Sequence, residues 1–238
     1  MKKNVKKIEK LILWGKNSIN DAIINKFPLE TIYVNSTKLS QKLQQQTTVP
    51  VHIKNNDFFN EITNENHQGI IAILKYFPIH ELNTIQRDKP QNVLVLDHIQ
   101  DPHNLGAIIR TANAFGISHI IISKDRSADI TSTVLKISSG GFIGIKFIKV
   151  NNIVAALKRL KNIGYWIYSS ALDKTALNFD KLEYNKPSVL IIGNEAKGVS
   201  QPVLNQSDVI VYIPQYGSVQ SLNVSVAAGL LIHQITKR

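Results

Sequence analysis

Short, almost wholly apolar runs recur through the second half of this chain, and the segments between them carry apolar residues at helical spacing. The runs are Val93-Leu94-Val95-Leu96, His119-Ile120-Ile121-Ile122, Ile145 to Val150, Tyr165 to Tyr168, Ser188-Val189-Leu190-Ile191-Ile192 and Val209-Ile210-Val211-Tyr212-Ile213. They lack the polar–apolar alternation of a strand wetted on one face, so they read as strands covered on both faces. Leu105, Ile108, Ile109, Ala112 and Phe115 line one face of a predicted helix that Gly116 stops. Thr131 to Ser138, broken by Gly140-Gly141, and Ile153 to Leu160 predict two more, and an apolar helix is expected from about Leu222 to Ile235. Buried strands alternating with helices have few solutions. The fold class is α/β, with a largely parallel sheet and helices on both of its faces.

The first part of the chain forms a separate, smaller pattern. Leu11 to Trp14, Ile32 to Val34, Val51 to Ile53 and Ile70 to Leu74 predict strands. Helices are expected from Ser18 as cap through Lys26, from Leu39 to Gln46, and from Asn56 to Ile62. His67 and Gln68 read as turn residues ahead of a core strand. Residues 1–77 therefore make a small αβ domain. Residues 78–91, polar and containing Pro90, read as an interdomain linker. Residues 92–238 make the larger domain.

Composition narrows the class of function. With 43% hydrophobic residues in 238 and a mean hydropathy of -0.06, the chain has ample core. No stretch is apolar and long enough to span a bilayer. The basic start, Met1 to Lys7, has no apolar signal core behind it, so a cytoplasmic location without a membrane partner is expected. Cysteine is absent, which excludes disulfides, a thiolate nucleophile and cysteine metal sites. Seven histidines are scattered without ligand spacing, so no metal is expected. The net charge of +11 and pI of about 9.7 favour a polyanionic partner, most simply nucleic acid.

Three strand-to-helix corners carry more polar chemistry than a turn needs: Asn104 to Arg110, Gly193 to Gly198, and Ile213 to Asn223. In an open α/β sheet, such loops at the C-terminal ends of strands are where ligands bind. Pro214 ends the pairing of its strand, and Ser221 and Asn223 suit the cap of the last helix. Glu195 lies between two glycines that let backbone approach a ligand closely. Arg110 falls with Gly106 and Asn113 off the apolar stripe of its helix. None of the corners has the spacing of a dinucleotide or triphosphate loop. Together, in a basic protein, they suggest a pocket for a small molecule beside a polyanion.

Asn104-Leu105-Gly106-Ala107-Ile108-Ile109-Arg110, Gly193-Asn194-Glu195-Ala196-Lys197-Gly198, and Ile213-Pro214 through Ser221-Leu222-Asn223-Val224-Ser225 resemble, in order and spacing, the three motifs of the SpoU family of RNA 2'-O-ribose methyltransferases. The first domain, with Asn66-His67-Gln68-Gly69, is similar to the substrate-binding domain of bacterial 23S ribosomal RNA guanosine 2'-O-methyltransferases, which resembles ribosomal protein L30e. The resemblance implies a SPOUT methyltransferase fold with a C-terminal trefoil knot, an exception to the rule against threaded chains. It implies S-adenosyl-L-methionine held bent against the backbone of Gly193, Ile213 and Leu222, ribosomal RNA as partner, and a homodimer with its active site near the subunit interface. Carried over motif by motif, Asn104, Arg110, Glu195, Ser221 and Asn223 are the expected functional side chains. Arg110 would clamp the target phosphate and polarise the 2'-hydroxyl, Asn104 would orient Arg110, and the other three would hold the loops and the nucleotide. Ile143 stands where many relatives have a glutamate.

Overall fold

The computed structural model describes residues 10–63 and 66–237; the basic segment Met1 to Lys7 lies outside the described residues. The chain divides into two compact units, ending at Phe77 and beginning at Pro78.

The first unit runs β1 (Ile12–Trp14), α1 (Lys16–Ile24), β2 (Leu29–Val34), α2 (Thr37–Gln44), β3 (Val51–Ile53), α3 (Asn56–Ile62) and β4 (Ile70–Leu74). Its sheet has the order β1-β4-β2-β3, with β4 antiparallel to both neighbours and β2 parallel to β3. Leu13, Ile19, Ile32, Val34, Phe59 and Ile71 are buried in its core. One expectation fails at the start of α1. The helix begins at Lys16, and Ser18 is buried within it rather than capping it. The cap comes instead from Gln68, whose Oε1 accepts the Lys16 N–H at 2.9 Å from 52 residues away. A cap supplied across the fold leaves no local signature.

The second unit begins with β5 (Ile79–His80) and α4 (Asn83–Asp88), continues through β6 (Asn92–Asp97), α5 (Pro102–Ala114), β7 (His119–Ser123), α6 (Ser132–Ile137), β8 (Lys146–Val150), α7 (Ile153–Asn162) and β9 (Trp166–Ser170), and ends with β10 (Leu177–Asn178), β11 (Ser188–Gly193), α8 (Gln201–Leu204), β12 (Val209–Tyr212) and α9 (Val224–Thr236). The eight strands lie in the order β10-β12-β9-β11-β6-β7-β8-β5, and the paired strands run parallel. Alternation along each strand divides the core into two layers. Val93 and Val95 of β6 and Val189 and Ile191 of β11 pack with Ile153, Leu157 and Leu160 of α7 and Val203 of α8. Helix α9 packs on β11 and on α5, which in turn packs on α6. Gly106 permits the α5–α6 contact, since a Cβ there would lie 2.7 Å from Cβ of Ile137.

The expected linker is a correction. Residues 78–91 hold β5, paired with β8, and α4, which buries Ile85 completely. A two-residue strand and a six-residue helix are too short to establish a readable period. Side chains then fasten α4 to the N-terminal ends of the strands. Asp88 lies 3.1 Å from Nε2 of buried His119 and accepts from Lys146. The Lys146 ammonium holds the Asp88 carboxyl well below the usual carboxylate range, and burial lowers the pKa of His119.

Candidate active site

The parallel sheet puts the C-terminal ends of β6, β11 and β12 along one edge, and the three polar corners gather there. Strand β11 ends at Gly193, opposite Asp97 of β6. The loop after it folds back on its own strand end: Asn194 N–H donates to the Gly198 carbonyl at 3.0 Å, and Gly198 N–H to the Asn194 carbonyl at 2.8 Å. A Cβ on residue 193 would stand 2.1 Å from the Gly198 carbonyl carbon and the Val199 nitrogen, so this close return admits only glycine. The Asn194 side chain sets the loop, accepting from the N–H groups of Ala196 and Lys197 and donating to the His98 carbonyl at 2.9 Å.

Glu195 projects from that loop to the start of α5. Its carboxylate accepts from the backbone N–H groups of Gln100 at 3.4 Å and Asp101 at 3.3 Å, from Asn104 Nδ2 at 3.2 Å and from Asn194 Nδ2 at 3.2 Å. Asp101 is the N-cap of α5, so the negative charge meets the positive end of that helix. Asn104, 8% exposed, also accepts from Asn223 Nδ2 at 3.0 Å. Asn223 in turn caps α9 by accepting from Ser225 N–H at 2.8 Å. One continuous chain of hydrogen bonds, Glu195–Asn104–Asn223, therefore joins all three motifs.

In front of this chain lies a cleft of about 510 Å³. Gly193, Glu195, Lys197, Ile213, Ser221 and Leu222 line it. The expected donor-contacting residues and two of the expected functional side chains are thus on one wall system, with Asn104 and Asn223 bonded behind Glu195. Arg110 stands apart. It is exposed on α5, six residues beyond Asn104, which along a helix is about 9 Å and a change of face. Asn104 therefore does not orient Arg110; its hydrogen bonds go to Glu195 and Asn223. Gly106 is buried against α6 rather than sharing a polar face with Arg110, and Asn113 donates to the carbonyl of buried Ile143.

Two residues essential to the geometry escaped the sequence reading. Asn194 organises the second loop as described. Asp97, 1% exposed, accepts from Ser200 N–H at 2.8 Å and lies 2.6 Å from His98 Nδ1, tying the end of β6 to the segment that follows the second loop. An acidic residue closing an apolar strand was the available signal. Among the described residues, no three His, Asp or Glu side chains converge as metal ligands. A larger hollow of about 830 Å³ on the first unit has Lys26 as its one titratable lining side chain, which gives it little chemistry.

Residues 91–233 match the family described as "SpoU rRNA Methylase family", and residues 12–80 match "RNA 2'-O ribose methyltransferase substrate binding". A Staphylococcus haemolyticus protein assigned to the TrmH family of tRNA/rRNA methyltransferases is 30% identical over 243 residues, covering 97% of each chain. The AdoMet-bound rRNA methyltransferase from Sinorhizobium meliloti superposes with a TM-score of 0.83 at 23% identity, covering 95% of this chain and 86% of that one. A TrmH/SpoU tRNA modifying enzyme of A. aeolicus is 34% identical with a TM-score of 0.57, covering 61% of this chain and 74% of its own.

Proposed function

The chain belongs to the SpoU rRNA methylase family, and on that premise we propose that it transfers a methyl group from S-adenosyl-L-methionine to the ribose 2'-hydroxyl of a guanosine in 23S ribosomal RNA. The observation that carries this reading is the joining of the three motif loops, through Glu195, Asn104 and Asn223, around one cleft. The cleft's volume lies in the range that takes a cofactor-sized molecule. Its wall carries the backbone of Gly193, Ile213 and Leu222, the positions expected to hold the donor. When bound, the donor supplies a methyl group on a positively charged sulfur, an electrophile that needs no further activation.

The chain's own residues then have two tasks, alignment and proton handling. Asn104, Glu195 and Asn223 fix the loops that align donor and nucleotide. Arg110 offers a planar fork of N–H donors and no acceptor, so it serves as a clamp on the target phosphate and a polariser of the hydroxyl, with the proton leaving to phosphate or water. An apolar surface supports a homodimer. Phe115 at the end of α5 meets His233 of α9 at a ring distance of 5.4 Å, and α9 exposes Val226 and Leu230 one turn apart. A second copy would cover this apolar surface. Helix α9 follows β12 and packs on β11, two strands away in the sheet, and on α5, which supports the C-terminal knot. The first unit supports the ribosomal RNA reading, as the RNA-binding part.

The deciding experiment is mass spectrometric mapping of ribose methylation in ribosomal and transfer RNA from cells with and without the protein. Loss of one methylated guanosine in 23S RNA is the expected result. Loss confined to transfer RNA would replace the target, and an unchanged pattern together with no transfer by the purified protein would refute the reading.

A further inference from the structure

The two most exposed of the exposed large apolar side chains are Tyr216, at 95%, and Leu172, at 75%. Both stand on loops that bound the same cleft. Leu172 lines it, after β9, and Tyr216 follows Gln215, which also lines it. Val219, further along the Tyr216 loop, is 63% exposed. Single apolar residues on a surface need no explanation. Two such side chains on loops that bound one cleft do, because their exposure leaves them little packing in the fold. Lys174 lies two residues after Leu172, and Lys197 of the Gly193–Gly198 corner lines the cleft; of the neighbouring carboxylates, Asp173 is bonded to Thr175 and Glu195 to the start of α5.

Flat aromatic and aliphatic surface beside lysines is the chemistry that receives an unstacked nucleobase and its phosphates. A target nucleotide in an unpaired segment leaves its base free to stack while its sugar enters the cleft. Resting on the RNA ribose methylation reading above, we infer that Tyr216, on a loop that bounds the same cleft as Leu172, forms a stacking subsite for the base of the target nucleotide. Tyr216 is then a positioning residue. The ring supplies stacking area, the hydroxyl is dispensable, and the donor-binding wall of Gly193, Ile213 and Leu222 is left untouched.

The test uses the full-length protein with purified ribosomal RNA from cells lacking the protein, whose target hydroxyl is free, and S-adenosylhomocysteine as donor-site probe. Tyr216→Ala should lower kcat/KM for RNA about tenfold or more, the scale of one lost base–aromatic stack, while affinity for S-adenosylhomocysteine stays within about twofold of the parent, because the ring makes no donor contact. Tyr216→Phe, which keeps the ring, should recover most of the lost rate. Tyr216→Trp places a reporter, and its emission, after subtraction of the parent signal from Trp14 and Trp166, should be quenched on adding RNA. Parent-like turnover by Tyr216→Ala overturns the inference. So does a phenylalanine variant as slow as the alanine one, or a matching loss of S-adenosylhomocysteine affinity. If the parent itself transfers no methyl group to RNA, the activity reading fails, and quenching in the Tyr216→Trp variant still decides whether RNA stacks at this position.

Discussion

Replacing Asn104 by alanine tests the joining of the three motifs directly. The amide is 8% exposed and makes two hydrogen bonds across the site: Nδ2 donates to Glu195 at 3.2 Å, and Oδ1 accepts from Asn223 at 3.0 Å. A hydrogen bond to a charged group contributes about 1.5–3 kcal/mol and a neutral one about 1 kcal/mol. Glu195 is exposed, so water takes the place of the lost donor and the lower end applies. Asn223 keeps its bond to Ser225, so the cap of α9 survives. The expected destabilisation is about 2 kcal/mol, or a fall in Tm of about 4–8 °C for a chain of this size. The assay is a double-mutant cycle with Glu195→Gln, which keeps the shape and removes the charge. Urea unfolding and S-adenosylhomocysteine titration are run on all four proteins. Residues in one network should show a coupling of about 1 kcal/mol in stability and a matching non-additivity in affinity. Additivity within about 0.3 kcal/mol, or an Asn104→Ala protein with parental Tm and affinity, refutes the idea that this amide holds the loops.

Arg110→Ala should cost under about 1 kcal/mol of stability, since the side chain is exposed, yet lower methyl transfer by at least about 100-fold; Arg110→Lys, which keeps charge and loses the planar fork, should remain slow, and a parental rate in either variant removes the clamp from the mechanism. A chain starting at Pro78 should keep donor affinity and lose RNA affinity with a shallower salt dependence, whereas one starting at Asn92 also loses Ile85 and Asp88 and should unfold at about 2–5 kcal/mol lower stability, as for removing a buried isoleucine; equal stability of the two fragments would show that α4 is not part of the unit. Stability should depend on pH in the alkaline range. Burial pushes the Lys186 ammonium, which hydrogen-bonds the Ile235 carbonyl, down to about 8. The unfolded state then binds more protons above pH 8, so Tm should rise from about pH 8 toward 10. Burial pushes the Tyr165 hydroxyl up to about 12, so above about pH 10 the folded state binds more protons and Tm should fall. Lys186→Met should flatten the rising limb, and an unchanged limb assigns it to another group.

The parallel sheet was readable because central strands such as β6 and β11 are covered on both faces and so appear as unbroken apolar runs. Helix α5 was readable because Leu105, Ile108, Ile109 and Ala112 are all buried at helical spacing. Short elements were not. The strand Leu177–Asn178 and the four-residue α8 contain too few positions for any period, and they owe their form to neighbours already in place. The site divides the same way. The glycines, Glu195 and Asn223 could be singled out from residue type and position alone. Which of them touch could not, because Asn104 meets partners 91 and 119 residues away. The motif resemblance implied that Asn104 orients Arg110, and helical geometry turns them to different faces.

The choice of side chain at Asn104 follows from what it must join. On one side is a carboxylate, which only accepts; on the other is the Asn223 amide, whose oxygen is already committed to Ser225 and which therefore presents its N–H group. The connector has to donate one way and accept the other. Aspartate has no donor for Glu195 and would place a second negative charge about 3 Å away, a pair that cannot both ionise without strong repulsion. Leucine leaves a polar group unpaired on each side. An amide on a helix start answers both needs from one position. Since polar side chains do the joining behind the wall, Gly193, Ile213 and Leu222 remain among the residues that line the cleft.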